Sequence, residues 1–269
     1  MRAKSILAFA AAATLSMCLM GQAHAAATIV ILNINAPGVG FNDPTPAVPV
    51  GGNVGTTLGQ QRLNAFQHAA SIWGATLTSN ATIVIQAQFS ALTCTATSAV
   101  LGSAGPTFVF RDFTGAIQPA TWYHSALGDK LFGADLNPGA ADINANFNAN
   151  LGNTGCLTGS PFYLGLDNNH GSAIDLVTVL LHEFGHGLGF STTTSGTSGN
   201  FLNGFPSSYD YFLFDTTQNL FWTQMTPAQR VTSAINSGKL VWTGGNVSAA
   251  VPSVLSGSPG QIRMDGSRK

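Results

Sequence analysis

Five consecutive residues, His182-Glu183-Phe184-Gly185-His186, have the types and spacing that metal-assisted hydrolysis needs. Histidines four apart on a helix project from one face, so both imidazoles reach for a single ion. Glu183 is turned about 100° from His182 around the helix axis. That offset suits a carboxylate that is not a ligand: it accepts the proton of a metal-bound water as the water attacks a carbonyl, then passes it to the leaving amine. Glu183 is the only glutamate in the chain, so general solubility or helix pairing explains it poorly. Two neutral imidazoles and an open water position match the tetrahedral site of catalytic Zn2+.

Zinc also needs a third protein ligand. A second Glu does not exist, and His186 is the last of six histidines. Asp210 is the first candidate within the chain, ahead of Asp215 and Asp265, and each also reads as an ordinary loop carboxylate. Asp167-Asn168-Asn169-His170-Gly171 offers oxygen ligands but lacks the spacing of a calcium loop and reads as a turn. His68 and His124 have no companion motif and read as structural.

These groups must be positioned by the elements around them. Ser172 followed by Asp175 is a capping-box-like start, and Ile174, Val177, Leu180, Leu181 and Phe184 supply the apolar positions of a helix over about residues 172–188. Leu63, Phe66, Ala70, Trp73 and Leu77 mark a backing amphipathic helix over about residues 59–77. Residues 27–33 read as a buried strand, and residues 82–89 and 107–111 as two more. Residues 142–148 alternate apolar and polar, as a half-exposed strand near a sheet edge would. Phe162 to Leu166 adds a further short strand. The order points to an α/β (α+β) fold with a mixed twisted sheet. Beyond residue 190 lie a Ser/Thr/Gly-rich loop, an aromatic cluster from Tyr209 to Phe214, and a helix started by Thr226-Pro227 and stopped near Gly238.

Composition sets the class. Arg2 and Lys4 precede an apolar run ending in Ala23-His24-Ala25, the pattern of a secretory signal peptide cut after Ala25. Met17 stands where a lipoprotein site wants a small residue before Cys18. The mature chain, about 244 residues, is expected to be secreted, soluble and one domain. With 8% charged residues it has no basic patch for nucleic acid, and no membrane partner follows after signal cleavage. Cys94 and Cys156 remain, and one disulfide is the natural reading in an exported protein.

The run from His182 to Ser191 (HEFGHGLGFS) resembles the extended zinc-binding helix of the metzincins, and of the leishmanolysin-like branch in particular. The matching residues are both His, the Glu, Gly189 at the turn that ends the helix, and Phe190-Ser191. The resemblance implies a zincin fold, with residues 26–190 as the catalytic subdomain and 191–269 as an irregular C-terminal portion. It also implies hydrolysis of peptide bonds in a peptide or protein substrate. Metzincins commonly put a third His where this chain has Thr192. Leishmanolysin-like enzymes place it after an insertion, which residues 209–242 resemble, followed by a Met-containing turn. On that pattern both features are expected downstream of residue 269. Met225 and Met264 are single methionines of the kind usually found in a core or on a surface.

Overall fold

The computed structural model describes residues 26–254 and 262–263, so the expected leader, Met264 and Asp265 lie outside the described residues. The described chain is a mixed α/β structure with five α-helices and a mixed main sheet. Strand β1 (Ile29–Asn33), helix α1 (Leu58–Thr76) and strand β2 (Ile83–Ser90) make a parallel crossover unit, with Ile29 opposite Ile83. Thr57 starts α1, its hydroxyl accepting from the Gln60 N–H at 3.2 Å. Strand β3 (Gly102–Pro106), helix α2 (Ser125–Phe132) and strand β4 (Ile143–Asn148) follow. The sheet order is β1-β2-β4-β3, with β3 alone running antiparallel.

Two strand expectations change here. Residues 142–148 do not form an edge, because β4 is paired on both sides. Their alternation has another cause: Ile143, Ala145 and Phe147 fill the core, while Asn144 and Asn146 face the other side of the sheet. A wet face and an open edge give the same pattern in sequence. The true edge is β3, whose Gly-Ser-Ala-Gly-Pro has none of the branched or aromatic residues that signal a strand. Pro106 is tolerated because an edge strand needs no N–H on its free side. At the opposite edge β1 is only half buried, with Val30 and Leu32 exposed, where a buried strand was expected. The strand at 107–111 shrinks to Val109–Phe110, paired with Tyr123–His124.

Helix α3 (Leu176–Gly187) carries the motif. It begins later than expected because Ile174-Asp175 is a short strand paired with Phe162-Tyr163. The N-cap is therefore Asp175, whose carboxylate accepts from the Thr178 N–H at 2.6 Å. Leu176, Leu180 and Phe184 are fully buried, and α3 packs on α1, β3 and β4. Phe66 lies at the centre, with ring centroids 5.1 Å from Phe147, 5.8 Å from Phe184 and 4.8 Å from Phe41. A Cβ on Gly187 would lie 2.5 Å from Ile143, so the missing side chain is what lets the end of α3 rest on β4. The Trp73 indole N–H donates to the Leu181 carbonyl at 3.1 Å and fixes α1 against α3.

Past residue 190 the chain is more regular than its Ser/Thr/Gly-rich composition suggests. Strands β5 (Leu213–Asp215), β6 (Leu220–Phe221), β7 (Leu240–Trp242) and β8 (Ile262–Arg263) form an antiparallel sheet in the order β6-β5-β7-β8. Helix α4 (Pro227–Ala234) has the expected Thr226–Gln229 capping box but ends ahead of Gly238; α5 (Gly245–Val254) follows β7. Met225 is buried in a second cluster with Tyr209, Leu213, Trp222, Leu240 and Trp242. Cys94 and Cys156 form the expected disulfide. No helix among the described residues is long and apolar enough to cross a membrane.

Truncating the central ring tests this packing. Phe66→Ala is expected to cost about 3–5 kcal/mol in urea unfolding, with the slope m unchanged; a loss below about 1 kcal/mol would mean that Phe66 is not the packing centre. Cys156→Ser, which opens the loop between the two cysteines, should cost about 2–4 kcal/mol by the same measurement.

Candidate metal centre

His182 and His186 converge on one point. Their Nε2 atoms are 3.1 Å apart and their rings nearly perpendicular, at 86°. Two nitrogens bound to one tetrahedral zinc ion at about 2.0–2.1 Å are separated by roughly 3.3 Å, so the pair is already close to ligand spacing. One ligand atom each from His182, Glu183 and His186 falls within 4.8 Å of the others. This group could hold a metal ion, and it is the one such group of His, Cys, Asp or Glu among the described residues. The His182 side chain is 68% exposed and that of Glu183 only 16%.

The turn after α3 orients the second histidine. Gly189 has φ +125°, in the half of conformational space that favours glycine, and its N–H donates to the His186 carbonyl at 3.3 Å. The Phe190 N–H donates to the Gly185 carbonyl at 2.9 Å, completing a Schellman-type stop. The Phe190 carbonyl is thereby aimed at His186 Nδ1, 2.9 Å away. A proton held on Nδ1 leaves the Nε2 lone pair for an ion, the usual arrangement around a metal-bound imidazole. Gly189 thus occupies the place expected for it and does more than end the helix.

His124 is a contact that sequence reasoning missed. It is buried, and its Nδ1 lies 3.1 Å from the His186 carbonyl. Nothing in Trp122-Tyr123-His124 signals this, because the contact spans 62 residues. Burial holds His124 at a pKa of about 4, so it is neutral at neutral pH and its N–H serves the open end of α3.

Glu183 is placed by the sheet. Its Oε2 accepts the Ala104 N–H of β3 at 3.1 Å, and its Oε1 lies 4.0 Å from His182 Nε2. The carboxylate therefore stands between an open sheet edge and the imidazole pair, the position a general base requires.

Asp210 is not brought to this group. It is fully buried, and its oxygens accept from the hydroxyls of Thr192, Thr194 and Ser207 and from the Ser207 N–H. Three of these bonds converge on Oδ2 and one on Oδ1, and Asp210 is not part of the His182-Glu183-His186 group. Thr192, at the position where the resemblance looks for a third His, is one of the donors. Asp215 is likewise buried and accepts from Thr217, Gln218 and Asn236. Asp167 makes a turn, accepting from the Tyr163 hydroxyl and the Asn169 N–H. His68 is half buried on α1, apart from the motif. Beside the end of the motif is an apolar cavity of about 530 Å³ lined by Gly185, Leu188, Gly189 and Phe190 together with Trp73 and Trp242.

The sheet beneath α3 is entered past a second titrating group. Asp142, just before β4, is raised to about 7 by burial and by its hydrogen bond with the Asp129 carboxyl, although its Oδ2 also accepts the Val84 N–H at 2.7 Å. Folding therefore tightens proton binding at Asp142, whose ordinary value is 3.8. Its contribution to stability is full below about pH 4 and is lost as the pH rises through about 7. His124 behaves oppositely, since folding depresses it from 6.5: its contribution is full above about pH 6.5 and is lost as the pH falls toward about 4. The two slopes oppose each other in the wild type. In chelator-treated protein, Asp142→Asn should become more stable from about pH 4.5 to 6.5, and His124→Gln less stable over the same range. Urea titrations at each pH check this, and parallel curves for both variants would refute it.

Compared with known proteins, the chain matches no family model, no curated protein and no solved structure.

Proposed function

We propose that this chain is an exported zinc-dependent metallopeptidase of the metzincin kind, resembling the leishmanolysin-like branch in its His182–Ser191 run. The observation that carries the reading is the convergence of His182 Nε2 and His186 Nε2 on one point beside a Glu183 carboxylate held against an open sheet edge. Export is supported by the basic-then-apolar N-terminal pattern and by the Cys94–Cys156 bridge.

His182 and His186 would hold the ion through Nε2, and their borderline donor character favours zinc. Bound there, zinc supplies Lewis-acid activation of water and of the scissile carbonyl. Glu183 Oε1 takes the proton of the attacking water and delivers it to the leaving amine, so no covalent enzyme intermediate is needed. Strand β3 offers main-chain partners to an extended peptide, because the Gly102 N–H and the carbonyls of Gly102, Ala104 and Pro106 point away from β4. The substrate strand therefore belongs beside residues 102–106 and not 142–148.

One observation favours a second reading, an exported non-catalytic protein of the same fold: Asp210 bonds the Thr192, Thr194 and Ser207 loop and is not part of the His182-Glu183-His186 group, which leaves two imidazoles as the described ligands. Metal content and casein cleavage separate the readings. The wild type is expected to bind one zinc and cleave. Glu183→Gln is expected to keep zinc and lose about 10²–10⁴-fold in rate, whereas His182→Ala and His186→Ala lose the metal. Zinc retained with no cleavage by the wild type or Glu183→Gln would establish the second reading.

A further inference from the structure

Glu183 is held from outside its own helix. Its Oε2 accepts an N–H from β3, while Oε1 is the oxygen 4.0 Å from His182 Nε2. The N–H concerned takes no part in the main sheet. The Thr107 N–H donates to the Asp142 carbonyl and the Asn148 N–H to the Leu101 carbonyl, so odd-numbered residues of this strand bond inward to β4. Antiparallel alternation then turns Gly102, Ala104 and Pro106 outward. Pro106 has no N–H, which leaves Gly102 and Ala104 as the outward donors of β3. One of these two is committed to Glu183.

A glutamate carboxylate rotates broadly about its last torsion, so a helix alone does not decide which oxygen faces the imidazoles. We propose that Ala104 is a positioning residue: its N–H clamps Oε2, fixes the carboxylate plane and leaves Oε1 as the oxygen that moves the proton. The proposal rests on the reading of Glu183 as general base. It makes the strand that would hold a peptide and the base that acts on the peptide one mechanical unit.

Amide hydrogen exchange read by NMR tests the clamp without any turnover. In the wild type the Ala104 amide should exchange about tenfold more slowly than in Glu183→Ala, the loss expected for one hydrogen bond. The inward amides of Ser103 and Gly105 should be unchanged. Equal Ala104 exchange in both proteins would overturn the proposal. The kinetic arm uses Ala104→Pro, which deletes the N–H and leaves the ladder bonds of Ser103 and Gly105 to β4. It should lower kcat by about 10–100-fold with KM within about twofold, and Ala104→Gly, which keeps the N–H, should recover most of the loss. A loss confined to KM, or equal losses in the Pro and Gly variants, would also overturn it. If the wild type cleaves nothing, the peptidase reading fails, and the exchange experiment still decides whether the clamp exists.

Discussion

The contact of Phe184 with Phe66 is the constraint on which the site depends. Phe184 sits between Glu183 and the second histidine, and its ring is fully buried 5.8 Å from that of Phe66. With this side chain turned into the core, helical geometry sends His182 and His186 to the outer face and Glu183 sideways toward β3. Gly187 completes the constraint by letting the last turn lie directly on Ile143. The same few residues thus anchor the helix and aim its chemistry. A weak motif helix could not hold two imidazoles at near-ligand spacing, because each rotamer would have to be ordered separately against its own entropy.

The second cluster serves the site indirectly. The rings of Phe190, Tyr209 and Trp242 gather with centroids 4.8–5.1 Å apart where the chain leaves α3, and Phe212 lies 4.7 Å from Trp242. Phe190 belongs to both regions: its ring joins this cluster, and its carbonyl faces His186. Asp210 ties the intervening loop back through Thr192, Thr194 and Ser207. A carboxylate that resembled a metal ligand in sequence is, in the fold, the organiser of a loop.

Legibility in sequence followed the length scale of each interaction. The two histidines, the glutamate, Gly189, the apolar face of α1 and the Thr226-led helix were readable because their signals lie within a turn or two along the chain. The contacts of Ala104 with Glu183 and of His124 with His186 were not, since they join residues 79 and 62 positions apart. The edge strand was lost for a different reason. Its pairing comes from backbone groups that every residue possesses, so Gly-Ser-Ala-Gly-Pro carries no side-chain signal. Conversely, the alternation at 142–148 located a real strand but misplaced it laterally, because periodicity reports faces and is silent about neighbours.

The disulfide has a kinetic side. Ser90 and Asn148 pair at the ends of β2 and β4, about 58 residues apart along the chain. Cys94 and Cys156 lie just beyond those two ends, so crossing the bridge shortens the path to about a dozen residues. In an oxidising compartment, this parallel pairing changes from a long search into closure of a short loop, whose entropic cost is correspondingly smaller. Once oxidised, the chain should meet its hardest topological step with the answer already tethered, and β3, which closes the sheet beside α3, lies within the tethered loop.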